Sequence, residues 1–291
     1  MNISKYWIYA ARPKTLIASA APIVPVTVLC FKNNIFNFNI FLLIIFAAVC
    51  IQIMTNFIND LYDYKKGADT SGRVGPERMI QMGYLSEKQM IKGISIVFFF
   101  SLIAGILLVN IGGYPILLIG LSAFLFAYLY TATNISIAYN GLGEIFVFLY
   151  FGIISSIGTY YLFTLQYSKN ALLIGSIFGC LNILLLVVNN LRDYKSDIKS
   201  NKNTLIVIMG RSFGKMEFLS MLAGSYLFLY FLLYDLNKTS TLYWFLPLII
   251  FAIKLSSSII YDKKFIQQTA LPLVSFYITL FTLLLSTIIY L

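Results

Sequence analysis

Long apolar runs separated by short polar segments dominate the chain. Nine runs are long enough to cross a bilayer, which takes roughly 20 apolar residues of helix. They are Thr15–Cys30, Ile40–Phe57, Ile91–Asn110, Tyr114–Tyr130, Ile145–Leu165, Ala171–Val188, Phe218–Tyr234, Leu242–Ile260 and Ala270–Leu291. None shows the strict alternation of a lipid-facing strand, so the pattern predicts membrane helices and excludes a β-barrel. Before the first run, Ile3–Ala11 reads as a short interfacial helix, with Pro13 and Pro22 shaping the start of the first span. Arg12, Pro13 and Lys14 interrupt the apolar stretch that a cleavable leader would need before Ala18-Ser19-Ala20.

Composition agrees. Of 291 residues, 59% are apolar and 11% charged, and the mean hydropathy is +0.84. A water-soluble domain of this size carries about a quarter charged residues. The cations fall on one side: 17 of the 21 Lys and Arg lie before the first run or after the second, fourth, sixth and eighth. Lys32, Lys169 and Lys238 lie on the other side, and Lys254 sits inside the eighth run with no assigned role. This asymmetry predicts a cytoplasmic N-terminus in a cell membrane and a C-terminus on the opposite side. The net charge of +10 is then a topology signal, not a nucleic-acid footprint. The same basic face suits anionic lipids or diphosphates.

The acidic residues are concentrated. Five of eleven lie in Asp60–Glu87, and two more are Asp193 and Asp197. Asn59-Asp60-Leu61-Tyr62-Asp63-Tyr64-Lys65 and Asn189-Asn190-Leu191-Arg192-Asp193-Tyr194-Lys195 share five of seven residues at an offset of 130. The match predicts one membrane domain over residues 1–291, built from two four-helix repeats plus one further helix. The segments Lys65–Lys88 and Ser196–Arg211 are long, polar and basic, and are expected to cover the site as mobile loops with short helical pieces.

Spacings of three, four and seven put Asn56, Asn59, Asp60 and Asp63 along one helical face, and Asn189, Asn190, Asp193 and Asp197 along another. With no histidine, and with Cys30, Cys50 and Cys180 inside apolar runs, a metal here would have oxygen ligands, which points to Mg²⁺ or Mn²⁺. Two facing acidic ridges suit two Mg²⁺ ions clamping a diphosphate. Arg73, Arg78, Arg192 and Lys202 stand close by as phosphate-binding cations. Tyr128, Tyr130, Tyr139 and Tyr150 offer aromatic faces to an allylic cation. Glu144 follows Gly141-Leu142-Gly143, either positioning a substrate or completing a helix start.

Four stretches carry a resemblance: Ala11–Leu16, Asn59–Thr70, Arg73–Arg78 and Val188–Asp193. In them the chain resembles the UbiA superfamily of intramembrane aromatic prenyltransferases, within it the branch acting on 1,4-dihydroxy-2-naphthoate. The resemblance implies nine helices around a cavity and a lateral opening for an isoprenoid tail. It also implies Mg²⁺-diphosphate held by Asn59, Asp60 and Asp63 and by Asp193 and Asp197. The reaction implied joins a polyprenyl diphosphate to the naphthoate, releasing diphosphate and CO₂ and giving demethylmenaquinone. Two positions depart from the pattern. Gly67 stands where many relatives have a third Asp, with Asp69, two residues later, as the further metal candidate of that motif, and Asn134 stands where some have Lys. Other acceptors (4-hydroxybenzoate, homogentisate, a chlorin) give the same pattern of motifs. A secondary transporter built from repeats is the reading from another class, but its acids belong near the bilayer midplane, not at one membrane face.

Overall fold

The structure is a computed structural model describing residues 3–67, 77–133 and 136–291. Asp69 and Arg73, assigned above to metal and diphosphate, and Asn134 lie outside the described residues. The described residues are all-α. Seven helices are long and apolar enough to cross a membrane, or eight if the bent N-terminal pair counts as one span.

Helix α1 (Ile3–Ala11) covers the segment read as a short helix. A single turn at Pro13–Thr15 joins it to α2 (Ile17–Ala20) and α3 (Ile23–Lys32), and the chain bends there by 48°. Helix α4 (Phe38–Lys65) starts at Asn37, whose side chain accepts from the Asn39 and Ile40 amides and so satisfies donors left over at a helix start. It runs beyond the apolar stretch, so the first acidic motif is its last two turns.

Helix α5 (Glu87–Leu129) opens with a reciprocal capping box between Ser86 and Gln89. Its 43 residues would extend about 65 Å if straight, twice the apolar thickness of a bilayer. It breaks at Gly113, which takes φ 64° and ψ −148°, with Pro115 just beyond. The halves fold back on each other, as the Phe98 and Phe124 rings lie 5.0 Å apart. The two runs on either side of residues 111–113 are thus joined without a loop.

Helix α6 (Gly143–Phe148) passes through a π-helical stretch, Leu149–Ile154, into α7 (Ser155–Thr164). Helix α8 (Lys169–Lys199) is the hub, with 83% of its apolar window buried by other helices. It continues to Lys199, so the start of the expected loop at Ser196 is helical. The segment then holds a short helix, α9 (Leu205–Met209), before α10 (Arg211–Asp235). Helices α11 (Leu246–Tyr261), α12 (Lys263–Gln268) and α13 (Ala270–Tyr290) complete the bundle.

The main core gathers α3, α8, α10, α11 and α13 around Phe178, Phe245, Tyr277 and Phe281. At the join of α8 to the π-helical stretch, glycines let two backbones touch. A Cβ on Gly152 would stand 2.5 Å from the Gly175 carbonyl oxygen and 2.6 Å from Gly179 Cα. Small residues at such contacts are how membrane helices gain packing without a hydrophobic driving force. Conversely, Phe99 and Leu121 on α5 are each 58% exposed. These are the apolar surfaces that a bilayer would cover.

Candidate active site

One cavity, of about 680 Å³, contains most of the residues selected from the sequence. Asn59 and Asp63, one turn apart on α4, are on its wall, and so are Asn189, Asn190, Asp193 and Asp197 on α8. Arg78, Arg192, Lys202, Tyr130 and Glu144 also line it. The two motifs, 130 positions apart, therefore meet in space.

Each ridge carries an arginine on a buried carboxylate. Arg78 Nη2 donates to Asp63 Oδ2 at 2.7 Å, and the Tyr139 hydroxyl donates to Asp63 Oδ1 at 2.9 Å. Arg192 grips its neighbour Asp193 through both forks, Nε to Oδ1 at 2.9 Å and Nη2 to Oδ2 at 2.8 Å. Such planar bidentate pairs are strong and directional. The arginines hold both carboxylates in position.

Three expectations are corrected. Asn56 does not reach the cavity: its amide donates to the Ala11 carbonyl at 2.9 Å and meets Thr15 Oγ1 at 3.5 Å, fastening the N-terminal segment to α4. Asp60 is also absent from the wall formed by the described residues. Its Oδ2 accepts from the Met79 amide at 3.2 Å, anchoring the segment that brings in Arg78. Tyr139 is not on the wall and acts through Asp63 instead. The aromatic set is reduced as well. Of its four tyrosines only Tyr130 lines the cavity, while Tyr128 pairs with Tyr62 and Tyr150 packs on Phe126.

Other residues on the wall were not selected. Tyr6, Tyr9 and Arg12 come from the N-terminal segment, and Tyr84 stacks on Tyr6 at 4.4 Å. Arg12 had been read only as a topology cation, although it sits in one of the four resembling stretches. Thr131 donates to Asn59 Oδ1, and no sequence signal marks it. Lys66 ties down the segment after α5, donating to the carbonyls of Thr131 at 2.6 Å and Thr133 at 2.7 Å. Its ammonium stands 4.3 Å from the Tyr139 ring centroid, with Lys202 at 5.2 Å. Burial holds the Lys66 pKa below its ordinary value, against the pull of Asp63. The Tyr130 phenol is pushed above its usual range, by burial first and then by the carboxylates of Glu144 and Asp63, so it stays a protonated donor.

The donor set fits Mg²⁺ in kind. It is all oxygen, from carboxylates and asparagine amides, with no histidine or cysteine on the wall. Among the described residues no three carboxylates converge on one point. Mg²⁺ typically takes one or two carboxylates and completes its shell with water and substrate phosphate. The residues therefore suit an ion that arrives with a diphosphate more than one held in a closed protein cage.

A second cavity of about 240 Å³ lies farther along the same helices, at Ser19 on α2, Ile44 to Gln52 on α4 and Phe124 on α5. Its wall is almost wholly apolar, in contrast to the first.

Comparison with known proteins follows from this geometry. Residues 20–280 match the UbiA prenyltransferase family. A 1,4-dihydroxy-2-naphthoate octaprenyltransferase of Haemophilus influenzae is 36% identical over 222 residues, covering 73% of this chain and 71% of that one. Its namesake in Escherichia coli is 32% identical over 225 residues, covering 75% and 73%. Among solved structures, a UbiA homolog from Archaeoglobus fulgidus bound to GPP and Mg²⁺ superposes with a TM-score of 0.69 at 13% identity, covering 98% of this chain and 100% of that one.

Proposed function

We propose that this chain, which belongs to the UbiA prenyltransferase family, transfers a polyprenyl group from its diphosphate to 1,4-dihydroxy-2-naphthoate. Diphosphate and CO₂ leave, and the product is the quinol form of demethylmenaquinone, which a separate two-electron oxidation converts to the quinone. The observation that carries this reading is the meeting of two arginine-paired acidic helix ends in one cavity, beside the basic residues Arg12 and Lys202. The naphthoate acceptor is supported by the relatives' names.

Asn59, Asp63, Asp193 and Asp197 make up the proposed Mg²⁺-binding set, while Asp60 holds the Met79 segment that brings in Arg78. Bound there, Mg²⁺ would neutralise the diphosphate and favour its departure. The chain's own residues do the rest. Arg78, Arg192 and Lys202, with the amides of Asn189 and Asn190, orient the phosphate oxygens and receive charge as the C–O bond breaks. Tyr130 presents an aromatic face and a hydroxyl to the reacting groups. The apolar cavity takes the isoprenoid tail. With the N-terminal pair as one span and α5 as two, the chain crosses the membrane nine times. The basic side carrying the site faces the cytoplasm.

The test is product formation by the purified protein with polyprenyl diphosphate, dihydroxynaphthoate and Mg²⁺. Asp63→Asn and Asp193→Asn should each lower turnover by about 10²-fold or more, because each weakens the hold on the Mg²⁺ that would stabilise the departing charge. Full activity in both would end the diphosphate-clamp reading. Faster turnover with 4-hydroxybenzoate, homogentisate or a chlorin would reassign the acceptor and leave the reaction type intact.

A further inference from the structure

Two buried carboxyls belong to neither acidic ridge. Glu144 starts α6 and is on the wall, 7% exposed, and Glu217 on α10 is 8% exposed. Asn190 Nδ2 donates to Glu144 Oε1 at 3.4 Å. Among the described residues no donor reaches Glu217 Oε2. Asp63 and Asp193 each have an arginine, whereas the partner of Glu144 is a neutral amide. A buried carboxylate held this way is costly and contributes nothing to binding an anionic diphosphate. Groups of this kind concentrate where protons are exchanged. Tyr130, on which the Glu144 carboxylate also acts, completes a polar wall.

Building on the prenyl transfer proposed above, we infer that Glu144 accepts the proton of the acceptor's ring hydroxyl. The O–H bond breaks and its proton goes to a Glu144 carboxylate oxygen. The oxygen electron pair moves into the ring, and a ring π pair forms the new C–C bond to the prenyl carbon. That carbon has already lost its C–O pair to the departing diphosphate. The ring is then a ketone carrying prenyl and carboxylate on one carbon. The C–CO₂ pair returns to the ring, CO₂ leaves, and the ketone oxygen takes the proton back from Glu144. The carboxylate ends in the state in which it began.

The test compares wild type, E144Q, E144D, E217Q and E144Q/E217Q with Mg²⁺, prenyl diphosphate and two acceptors of similar shape, one made more acidic at its hydroxyl by ring fluorination. E144Q should lower kcat with the ordinary acceptor about tenfold or more, with KM for prenyl diphosphate unchanged. Its deficit relative to wild type should narrow with the acidic acceptor, which needs less help to lose its proton. E144D should recover part of kcat. E217Q, which alters a buried carboxyl off the cavity wall, should lower kcat less than E144Q, and the double variant should track E144Q. A loss under tenfold in E144Q, an equal deficit with both acceptors, or E144D no better than E144Q would each overturn the inference. Wild-type protein that prenylates no hydroxylated aromatic would instead overturn the parent reading, an outcome separable from the first three.

Discussion

Replacing Arg78 with Met would isolate the energetics of one buried ion pair at the site. Arg78 and Asp63 are 5% and 3% exposed, with 2.7 Å between Nη2 and Oδ2. At an effective dielectric constant near 20, that separation corresponds to a gross attraction of roughly 6 kcal/mol. Desolvation of both groups offsets much of it, so the pair itself adds little net stability. Removing one partner is different, because the desolvation of Asp63 remains while its compensation is lost. Such a loss is about 3–5 kcal/mol. The Tyr139 hydroxyl still donates to Asp63 and the cavity admits water, so the expected loss for Arg78→Met lies near the lower end, about 3 kcal/mol. Removing the charge as well, in Asp63→Asn with Arg78→Met, should recover most of that loss, leaving a deficit of about 1 kcal/mol. Unfolding in mixed detergent micelles, followed by tryptophan fluorescence, measures all four corners of the cycle. If the double variant is as unstable as Arg78→Met alone, uncompensated charge is not the cause. If Arg78→Met falls within about 1 kcal/mol of wild type, the pair is not a buried one in the sense argued.

Three further outcomes follow from contacts away from the chemistry. Asn182 on α8 donates to the Ala18 carbonyl at 3.0 Å and the Phe151 carbonyl at 2.7 Å, so Asn182→Leu should cost about 1–3 kcal/mol in the same assay. Gly152→Ala forces α8 off the π-helical stretch and should cost about 1–3 kcal/mol, whereas Gly158→Ala, whose nearest neighbour is the end of Ile119 at 3.5 Å, should be tolerated. Lys238 donates to the carbonyls of Ile288 and Ile289 near the end of α13, and burial, then the neighbouring Lys32 charge, brings its pKa down to about 8. Between pH 8 and 10.5 the unfolded chain therefore binds more protons at this residue than the folded one, so its contribution to stability rises with pH. Lys238→Met should flatten that part of the stability–pH curve, and an unchanged slope would refute the assignment.

The acidic motifs show how far a helical spacing can be read. A separation of four residues put Asn59 and Asp63 on one face, and they share the cavity wall. The same reasoning included Asn56 and Asp60, and both turn elsewhere, to Ala11 and Met79. The apolar face of a helix follows from its own residues, but the partner of a polar side chain depends on which segment comes back to meet it. Lys66 is the clearest case. It reads as one more cytoplasmic cation, yet its ammonium holds together a turn some 65 to 70 positions later.

The apolar runs, the one-sided cations and the absence of histidine by themselves determined an all-α membrane chain with an oxygen-lined site at one face. They suffice because a bilayer leaves the backbone few alternatives to helices and the membrane potential sorts positive loops. Only tertiary structure decided that Arg78 would neutralise Asp63, that Tyr139 would act from behind it, and that Asn190 would meet Glu144. Those pairings join residues from different helices, and their energies exist only once packing has removed the water between them.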